Sequence, residues 1–439
     1  MHLLKNLLTK QTFVIYNITM QKDRIYFCID MKSFFASVEC AERGLNPFET
    51  NLVVADPSRG NGAICLAVTP KMKALGVKNR CRIFEIPKNI KYITALPRMK
   101  KYIEYAADIY AIYLKYIDKN DIHVYSIDES FIDATDYLKI YNKTPQQFAA
   151  NLINEIAEVK HIPSAAGIGT NLFLAKIALD ITAKNIKNQI GYLDEEMFKK
   201  TLWHHKPITD FWHIAKGTER RLAKKGIYDM YGIAHYPPEL LYKEFGINAE
   251  LLIDHAWGRE SCTMADIKNY KGKSKSVSTS QILFTDYTYD KAKIVMEEMV
   301  RSGAYELMRR HVMTNKVNIY VGYSKDIIPP TKGHVKMTVT TNISSQITPY
   351  VMKLFEKSTN KDTMIRRLGI EFADVVDEKY ESYDLFTDFK KLEKQKKTEH
   401  AAVKIQNKFG KNALVRAADL QEGATTIKRN KLIGGHNSE

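Results

Sequence analysis

The chain has 439 residues, 45% of them apolar, which is enough for about two to four domains with substantial cores. Lysine and arginine exceed aspartate and glutamate by 66 to 50, and this charge of +16 favours an anionic partner, either nucleic acid or a lipid surface. The five cysteines form no C-x-x-C pair, and their odd number argues against a disulfide framework. We therefore expect free thiols in a cytoplasmic protein. No apolar run reaches about 18 residues, so we expect no membrane span.

The first 190 residues predict strands that alternate with helices. Residues 1–21 are expected to be an N-terminal extension. In chain order, the pattern then predicts a buried strand at RIYFCID (24–30), a helix at 33–43, a strand at NLVVAD (51–56), a strand and a helix across 63–77, a long amphipathic helix at 99–117, strand-like segments around Asp128, a helix at 144–160, a strand at AAGIGT (165–170) and a helix at 171–184.

The second half of the chain changes character twice. Residues 191–262 read as short helices separated by glycines, and KNYKGKSKS (268–276) reads as part of a basic linker, placed at 263–276. The block 277–376 then predicts the order β-α-β-β-α-β, the split βαβ pattern of a small independent domain. Residues 377–439 form a polar tail with a mixed-charge segment that resembles a helix.

The segment HVYSIDESFID (123–133) places Asp128 and Glu129 side by side within a strand-like pattern. On a continuous strand their side chains point to opposite faces, so they serve one site only at a bend or hairpin tip. A divalent cation relieves the repulsion between adjacent carboxylates, and Mg²⁺ prefers such oxygen ligands. The alternative is a solvated turn that happens to carry two acids.

Asp30 ends an earlier predicted strand, where the alternative role is the N-cap of the following helix. The set of Asp30, Asp128 and Glu129, followed by a helix with Lys176 and Lys184, favours a catalytic site. Three carboxylates on neighbouring strands can hold two metal ions about 3.5–4 Å apart, as phosphoryl transfer requires.

The segments CIDMKSFFASVE, YSIDESFID and AGIGTNLFLAKIALDITAK resemble the three palm motifs of the Y-family translesion DNA polymerases. The chain is most similar to the UmuC-like branch of Gram-positive bacteria and their mobile elements. The resemblance runs from about residue 23 to the end and includes TDFWHIAKGTERRLAKKGI, SKSVSTSQIL, IRRLGIEF and the tail KFGKNAL…RNKLIGGH.

This resemblance implies a multidomain α+β fold shaped like a right hand. The implied domains are a palm with a mixed sheet and helices (22–41 and 101–190), small fingers (42–100), a helix-hairpin-helix thumb (191–262), the basic linker (263–276), a ferredoxin-like little finger (277–376) and the tail (377–439).

The resemblance also implies roles for residues of the palm. Asp30 and Asp128 match metal-binding aspartates, Glu129 matches the adjacent catalytic glutamate, and Met31 matches a residue that lends its backbone carbonyl to the metal. Two Mg²⁺ ions are the implied cofactor. Phe35 matches the aromatic steric gate beneath the sugar; without the resemblance, a core aromatic is the better interpretation.

Contacts to the incoming triphosphate are implied for Lys184 and Lys73, with two departures from the family pattern. Pro70 and Lys73 stand where a tyrosine and an arginine are common, so a hydroxyl and a bidentate fork are lost. In the thumb, His213-Ile214-Ala215 replaces an expected Gly-x-Gly, although Gly217 lies nearby as a DNA-binding candidate.

The function implied is error-prone, template-directed DNA synthesis across damage, with primer-template DNA and dNTP as substrates and a monomer as the active form. The DNA-binding candidates in the linker are Lys268, Lys271, Lys273 and Lys275. In SYDLF (382–386), Asp384, Leu385 and Phe386 match a sliding-clamp-binding peptide, while Ser382 and Tyr383 do not. The alternatives are a non-catalytic DNA-binding or clamp-associated factor and a two-metal nuclease.

Overall fold

The computed structural model describes residues 24–272, 275–383, 385 and 387–439. Contacts between residues divide the chain into two compact units, the first ending at Tyr270 and the second beginning at Lys271. Among the described residues, no helix is long and apolar enough to cross a bilayer. The expected N-terminal extension, residues 1–21, lies outside the described residues.

The first unit contains two sheets. Its strands are β1 (Tyr26–Met31), β2 (Leu52–Val54), β3 (Ala67–Val68), β4 (Ile93–Ala95), β5 (Ile122–Val124), β6 (Glu129–Asp133), β7 (Ser164–Gly169) and β8 (Ile190–Leu193). The larger sheet has the order β5-β6-β1-β7-β8, which makes β1 the central strand, and the smaller has the order β3-β2-β4. Because β1 is antiparallel to both neighbours and covered on both faces, it consists almost entirely of buried residues.

Twelve α-helices of the described residues belong to the first unit. They are α1 (Phe34–Ala41), α2 (Pro70–Ala74), α3 (Met99–Leu114), α4 (Thr135–Ile140), α5 (Pro145–Lys160), α6 (Leu172–Ile177), α7 (Glu195–Leu202), α8 (Lys216–Ala223), α9 (Met230–Ala234), α10 (Pro238–Phe245), α11 (Asn248–Ala256) and α12 (Met264–Asn269). A π-helical segment, Ala178–Thr182, continues α6, and a 3₁₀ turn, Ala183–Asn185, comes after it. Helices α7 to α11 form the predicted helical region around a core that includes Phe198, Phe211 and Leu241.

The basic linker predicted at 263–276 is wrong in its first half, because α12 occupies Met264–Asn269. The Thr263 hydroxyl accepts a hydrogen bond from the Asp266 amide (3.3 Å), and the Asp266 carboxylate accepts one from the Thr263 amide (2.9 Å). This capping box starts the helix, and Met264 is buried with Tyr26 and other core residues of the first unit. The lysines of this stretch suggested a solvated segment, whereas the threonine and aspartate of the cap determine its structure.

The second unit has the predicted order β-α-β-β-α-β. These elements are β9 (Ser276–Tyr287), α13 (Tyr289–Arg309), β10 (Val312–Tyr323), β11 (Thr331–Thr341), α14 (Ser344–Ser358) and β12 (Ile365–Ala373). The sheet order is β11-β10-β12-β9, and both helices pack on one face of it. Gly303 lets α13 approach that sheet, since a Cβ there would lie 2.0 Å from the Phe372 ring.

The tail folds onto the second unit. It contains β13 (Val376–Asp377), α15 (Phe389–Phe409), α16 (Thr426–Asn430), β14 (Leu432–Ile433) and β15 (His436–Asn437). The Glu399 carboxylate of α15 accepts hydrogen bonds from the Ser344 amide (2.9 Å) and hydroxyl (2.5 Å) at the start of α14. The helix predicted in the mixed-charge segment is therefore present and docked.

Residues 410–431, which we call the C-terminal strap, are anchored by one buried carboxylate. Glu298 of α13 is 4% exposed and accepts hydrogen bonds from the amides of Thr425 (2.8 Å) and Thr426 (3.0 Å) and from the Thr425 hydroxyl (2.9 Å). Asp419 of the strap also pairs with Arg301 of α13. The strap is thus held to α13 by charge-assisted hydrogen bonds in a low-dielectric setting.

Glu298→Ala is expected to release the strap, because it leaves two buried amide donors without an acceptor, at about 1–3 kcal/mol for each donor. Hydrogen exchange at the amides of Thr425 and Thr426 should accelerate at least about tenfold. Glu297→Ala, at an exposed position of the same helix, is the matched control. Unchanged exchange in Glu298→Ala would show that the strap is held by other contacts.

Candidate active site

Asp30 and Glu129 face each other across two paired strands. They are register partners in the antiparallel pairing of β1 with β6. The Met31 amide donates a hydrogen bond of 2.9 Å to the Asp128 carbonyl, which brings the end of β1 against the turn before β6. The three carboxylates predicted from separate segments therefore meet where β1 ends and β6 begins, at the end of the strands that we call the edge of the larger sheet.

The predicted hairpin explains how Asp128 and Glu129 share this edge. Strands β5 and β6 pair with each other, and residues 125–128 make the turn between them. The Tyr125 amide donates to the Glu129 carbonyl (3.0 Å), and the Ser126 hydroxyl donates to the Asp128 carboxylate (2.6 Å). Because Asp128 lies in the turn and Glu129 starts the strand, the alternation that would separate their side chains does not apply.

The electrostatic environment of Asp30 is strongly unfavourable to its ionised form. Burial, reinforced by the negative charges of Asp128 and Glu129, raises the pKa of Asp30 to about 7. Within the described part of the chain, no donor makes a hydrogen bond to this carboxylate, although Lys176 lowers its pKa in part. A cation at this edge would remove the repulsion.

Glu129 is already paired, which sequence reasoning missed. Its carboxylate lies 2.8 Å from Lys176 Nζ and accepts a hydrogen bond from the Cys28 thiol (3.1 Å). Lys176 also lies 3.2 Å from Asp180. Burial alone would lower the pKa of Lys176, but Cys28, Asp180 and Glu129 together raise it. Lys176 therefore forms an ion pair with one acid of the site.

The pairing of Glu129 with Lys176 offsets part of the negative charge of the three acids. Among the described residues, no three His, Cys, Asp or Glu side chains are placed to hold a metal ion together. The assignment of Asp30, Asp128 and Glu129 as metal ligands therefore stays a prediction.

Two lysines interact electrostatically with the aspartates, and a third, Lys184, interacts with both of these lysines. Burial lowers the pKa of Lys73, an effect that Asp30 and Asp128 oppose and that Lys184 reinforces. Burial likewise lowers the pKa of Lys32, with Asp30 opposing the shift and Lys73 and Lys184 reinforcing it. The predicted pair Lys73 and Lys184 is thus brought together near Asp30, and Lys32 is a third member that sequence reasoning missed. Its signal was its position, two residues after Asp30.

Pro70 has a structural role in the segment that carries Lys73. It is the first residue of α2, where the missing N–H would have had no helical partner. The Thr69 hydroxyl caps the same helix by accepting from the Met72 amide (3.4 Å). Lys73 therefore extends from a capped short helix.

Phe35 lies at the start of α1 and is half-buried. Its ring centroid is 4.7 Å from that of Tyr102 and 5.7 Å from that of Phe34. The Tyr102 hydroxyl donates to Glu39 (2.8 Å), which fixes the ring beneath Phe35. One edge of Phe35 is thus supported by α3 while part of it stays accessible.

The segment that replaces Gly-x-Gly is shaped by its side chains. His213 adopts a left-handed conformation with φ of 69°, and Ile214 is buried in the core of the helical region. Ala215 is the N-cap of α8, and Gly217 lies in the first turn of that helix with no atom within 4 Å of a built Cβ. The space beside Gly217 is therefore open.

One basic-linker lysine makes contacts within the fold. Lys268 donates hydrogen bonds to the carbonyls of Lys119 (3.0 Å) and Ile122 (2.7 Å), so it ties α12 to the start of β5. Its side chain is exposed, and its assignment as a DNA-binding residue stays a prediction. Lys271 and Lys275 are exposed, and Lys273 lies outside the described residues.

The clamp-peptide candidate is described only in part. Leu385 is 99% exposed, whereas Asp384 and Phe386 lie outside the described residues. The Ser382 hydroxyl accepts from the Thr340 amide (2.9 Å), and the Tyr383 ring packs 5.1 Å from Phe389. The two residues that depart from the peptide pattern are thus the ones that attach this segment to the second unit.

Comparison with known proteins gives matches along nearly the whole chain. Residues 29–180 match the impB/mucB/samB family, and residues 274–385 match the impB/mucB/samB family C-terminal domain. The chain is 30% identical over 414 residues to the putative UV-damage repair protein UvrX of Bacillus subtilis, covering 94% of this chain and 97% of that one. It is 31% identical over 424 residues to DNA polymerase IV 2 of the same organism, covering 95% and 100%.

Among solved structures, a Y-family DNA polymerase chimera is similar in fold, with a TM-score of 0.61 at 20% identity. The match covers 80% of this chain and 99% of the chimera. The similarity in sequence to two full-length relatives and the two matched domains agree with the arrangement of acids at the sheet edge. The chain belongs to the impB/mucB/samB family, the Y-family of DNA polymerases.

Proposed function

We propose that this chain is a template-directed, error-prone DNA polymerase that acts in translesion synthesis, with its active site at the edge of the larger sheet. The observation that carries the proposal is the meeting of Asp30 and Asp128 with the lysines Lys73 and Lys184. A cation would stabilise the two aspartates and an anion would stabilise the two lysines. A metal-bound nucleoside triphosphate supplies both.

We divide the chain into the subdomains of a hand-shaped polymerase as follows. The palm comprises 22–41 and 101–190 with the larger sheet, and the fingers comprise 42–100 with the smaller sheet. The thumb comprises 191–262, and the little finger comprises 277–376 with the β-α-β-β-α-β order. The linker is limited to about 271–276, and the tail runs from 377 to 439.

The donors at the sheet edge fit Mg²⁺. Carboxylate oxygens of Asp30 and Asp128 and the backbone carbonyl of Met31 are hard ligands, and the repulsion that raises the pKa of Asp30 is what a cation would relieve. Glu129 would complete the primer side, and two ions are the expected number. When bound, Mg²⁺ would neutralise phosphate charge and favour ionisation of the primer 3′-hydroxyl.

The side chains of this chain position the two substrates. Lys73 and Lys184 bind the triphosphate and orient it toward the primer end, which converts a bimolecular step into a positioned one. Phe35, supported by Tyr102, lies beneath the sugar and excludes a 2′-hydroxyl. Lys176 pairs with Glu129 and positions its carboxylate.

Primer-template DNA, damaged or not, is expected to contact exposed polar surfaces of the second unit. A cavity of about 670 Å³ lies on the open face of its sheet, lined by residues such as Ser278, Asn318, Lys332 and His334. Lysines and hydroxyl groups of this kind bind the phosphate groups of DNA without distinguishing its base sequence. Lys271, Lys273 and Lys275 are further candidates for contacts with DNA phosphate, and Gly217, in the first turn of α8, is a candidate in the thumb.

Attachment to a sliding clamp through SYDLF is a further part of the proposal. Leu385 is fully exposed and can insert into a pocket of a partner, and Asp384 and Phe386 match the clamp-binding pattern on either side of it. A monomer is expected to suffice for synthesis.

Asp128→Ala is expected to reduce primer extension at least about a thousandfold, because it removes a carboxylate that would hold the cation needed to neutralise the charge developed at the reacting phosphate. A labelled primer-template with Mg²⁺ and dNTPs gives elongation for a polymerase, shortening for a nuclease and neither for a binding factor. DNA affinity should be unchanged. Glu158→Ala, at an exposed position on α5, is the control. Retained extension by Asp128→Ala would refute the site.

Phe35→Ala is expected to raise incorporation of ribonucleotides relative to deoxynucleotides about tenfold or more, since the ring no longer blocks the 2′-hydroxyl. Phe35→Tyr keeps the ring and should keep the discrimination. Single-nucleotide extension with dCTP and CTP measures the ratio. If the ratio were the same in all three proteins, Phe35 would be a core aromatic only.

Asp30→Asn is expected to stabilise the metal-free protein at pH 8 and not near pH 4. The pKa of Asp30 is raised from 3.8 to about 7 in the folded state, so the folded protein loses stability as the pH rises between these values, by up to about 4 kcal/mol. Thermal unfolding in EDTA measures the effect, with Asp362→Asn as an exposed control. Adding Mg²⁺ at pH 8 should stabilise the wild type more than Asp30→Asn; the opposite order would contradict the metal assignment.

A further inference from the structure

Lys32 occupies the turn between β1 and α1, two residues after Asp30. Its amide donates to the Pro163 carbonyl (2.8 Å), which extends the pairing of β1 with β7 by one residue. Lys32 therefore directly follows the end of β1 that carries Asp30 and Met31. The Ser37 hydroxyl donates to the Lys32 carbonyl (2.6 Å) and fixes the turn.

The ammonium group of Lys32 is held by one neutral partner. It donates a hydrogen bond to the side-chain oxygen of Gln189, whose amide nitrogen donates to the Ile186 carbonyl (3.0 Å). Gln189 comes after the 3₁₀ turn that carries Lys184, and its own carbonyl accepts from the Ala166 amide (3.0 Å) on β7. Lys32 is therefore directed toward the segment of Lys184 rather than into solvent.

The positive charges around Lys32 suit an anion that carries several negative charges. The Lys32 ammonium group is close enough to Lys73 and Lys184 for their charges to lower its pKa, an effect that the charge of Asp30 opposes. Like charges held together repel one another unless a counter-ion separates them. Gln189 is neutral, so it orients Lys32 without neutralising it.

We propose that Lys32, positioned by Gln189, is a third lysine that binds the triphosphate of the incoming nucleotide. This inference rests on the proposed polymerase function and adds a residue to its nucleotide site. Since Lys73 lacks the bidentate fork of an arginine and Pro70 lacks a hydroxyl, Lys32 supplies a positive charge close to the positions where those contacts are lost.

The test uses the full chain bound to a primer-template whose primer ends in a dideoxynucleotide, so that dNTP binds without reacting. Lys32→Met keeps the aliphatic stem and removes the charge. It should weaken dNTP binding about tenfold, as expected for a lost charge-assisted hydrogen bond. The four dNTPs should be affected equally, because their phosphates are identical. Lys32→Arg should restore most of the affinity.

Steady-state kinetics on an extendable primer separates binding from chemistry. For Lys32→Met, KM should rise about tenfold while kcat at saturating dNTP stays within about threefold, the pattern of a contact made equally before and during reaction. Gln189→Ala should have a smaller effect, and the double variant should be no weaker than Lys32→Met alone. Lys187→Ala, at an exposed lysine of the same segment, is the matched control.

Unchanged dNTP affinity in Lys32→Met, or a loss equal to that of Lys187→Ala, would overturn the inference. So would a loss of primer-template affinity without a loss of dNTP affinity, because Lys32 would then contact DNA phosphate. If the wild type fails to extend a primer, the proposed function fails. Extension by the wild type with normal dNTP binding by Lys32→Met rejects only the role of Lys32.

Discussion

The repulsion between Asp30 and its acidic neighbours is the physical constraint around which the first unit is arranged. The folded chain holds a carboxylate at the end of a buried central strand and brings Asp128 and Glu129 against it, so that its pKa rises to about 7. Such an arrangement persists only when the surrounding structure overdetermines it. Here the backbone hydrogen bond between Met31 and Asp128 and the register of β1 with β6 fix the backbone positions from which the acids extend.

Two sources of positive charge can relieve this repulsion. One is Lys176 of the protein itself, and the other is cations that bind from solution. Lys176 reaches Glu129 because α6 lies unusually close to β7. A Cβ at Gly167 or Gly169 would stand 2.1–2.2 Å from the backbone of the helix, so only glycine permits the approach. The Asn171 side chain caps the same helix by accepting from the Leu174 amide (2.8 Å). Among the described residues, no ammonium group pairs with Asp30 or Asp128 in this way, and this asymmetry makes the edge of the sheet suited to exchangeable cations.

The elements that periodicity predicts are those set by local sequence. The strand ending at Asp30, the hairpin around Asp128 and the β-α-β-β-α-β order of the second unit result from apolar spacing and turn residues, and all three are present. Side-chain partners across the fold could not be predicted in the same way. The ammonium of Lys268 caps backbone carbonyls, and Lys176 neutralises Glu129, because of packing between segments far apart in sequence. The docked C-terminal strap belongs to this group too, since one buried glutamate on α13 holds it.

The segment that begins with α6 carries two lysines with different environments. Helix α6 continues as the π-helical segment Ala178–Thr182, which is followed by the 3₁₀ turn Ala183–Asn185. Lys176 of α6 is 8% exposed and pairs with Glu129, whereas Lys184 of the 3₁₀ turn is exposed. The charge of Lys184 contributes to the lowered pKa values of Lys32 and Lys73. One continuous segment thus offsets an acid with its first lysine and leaves the second available for a phosphate.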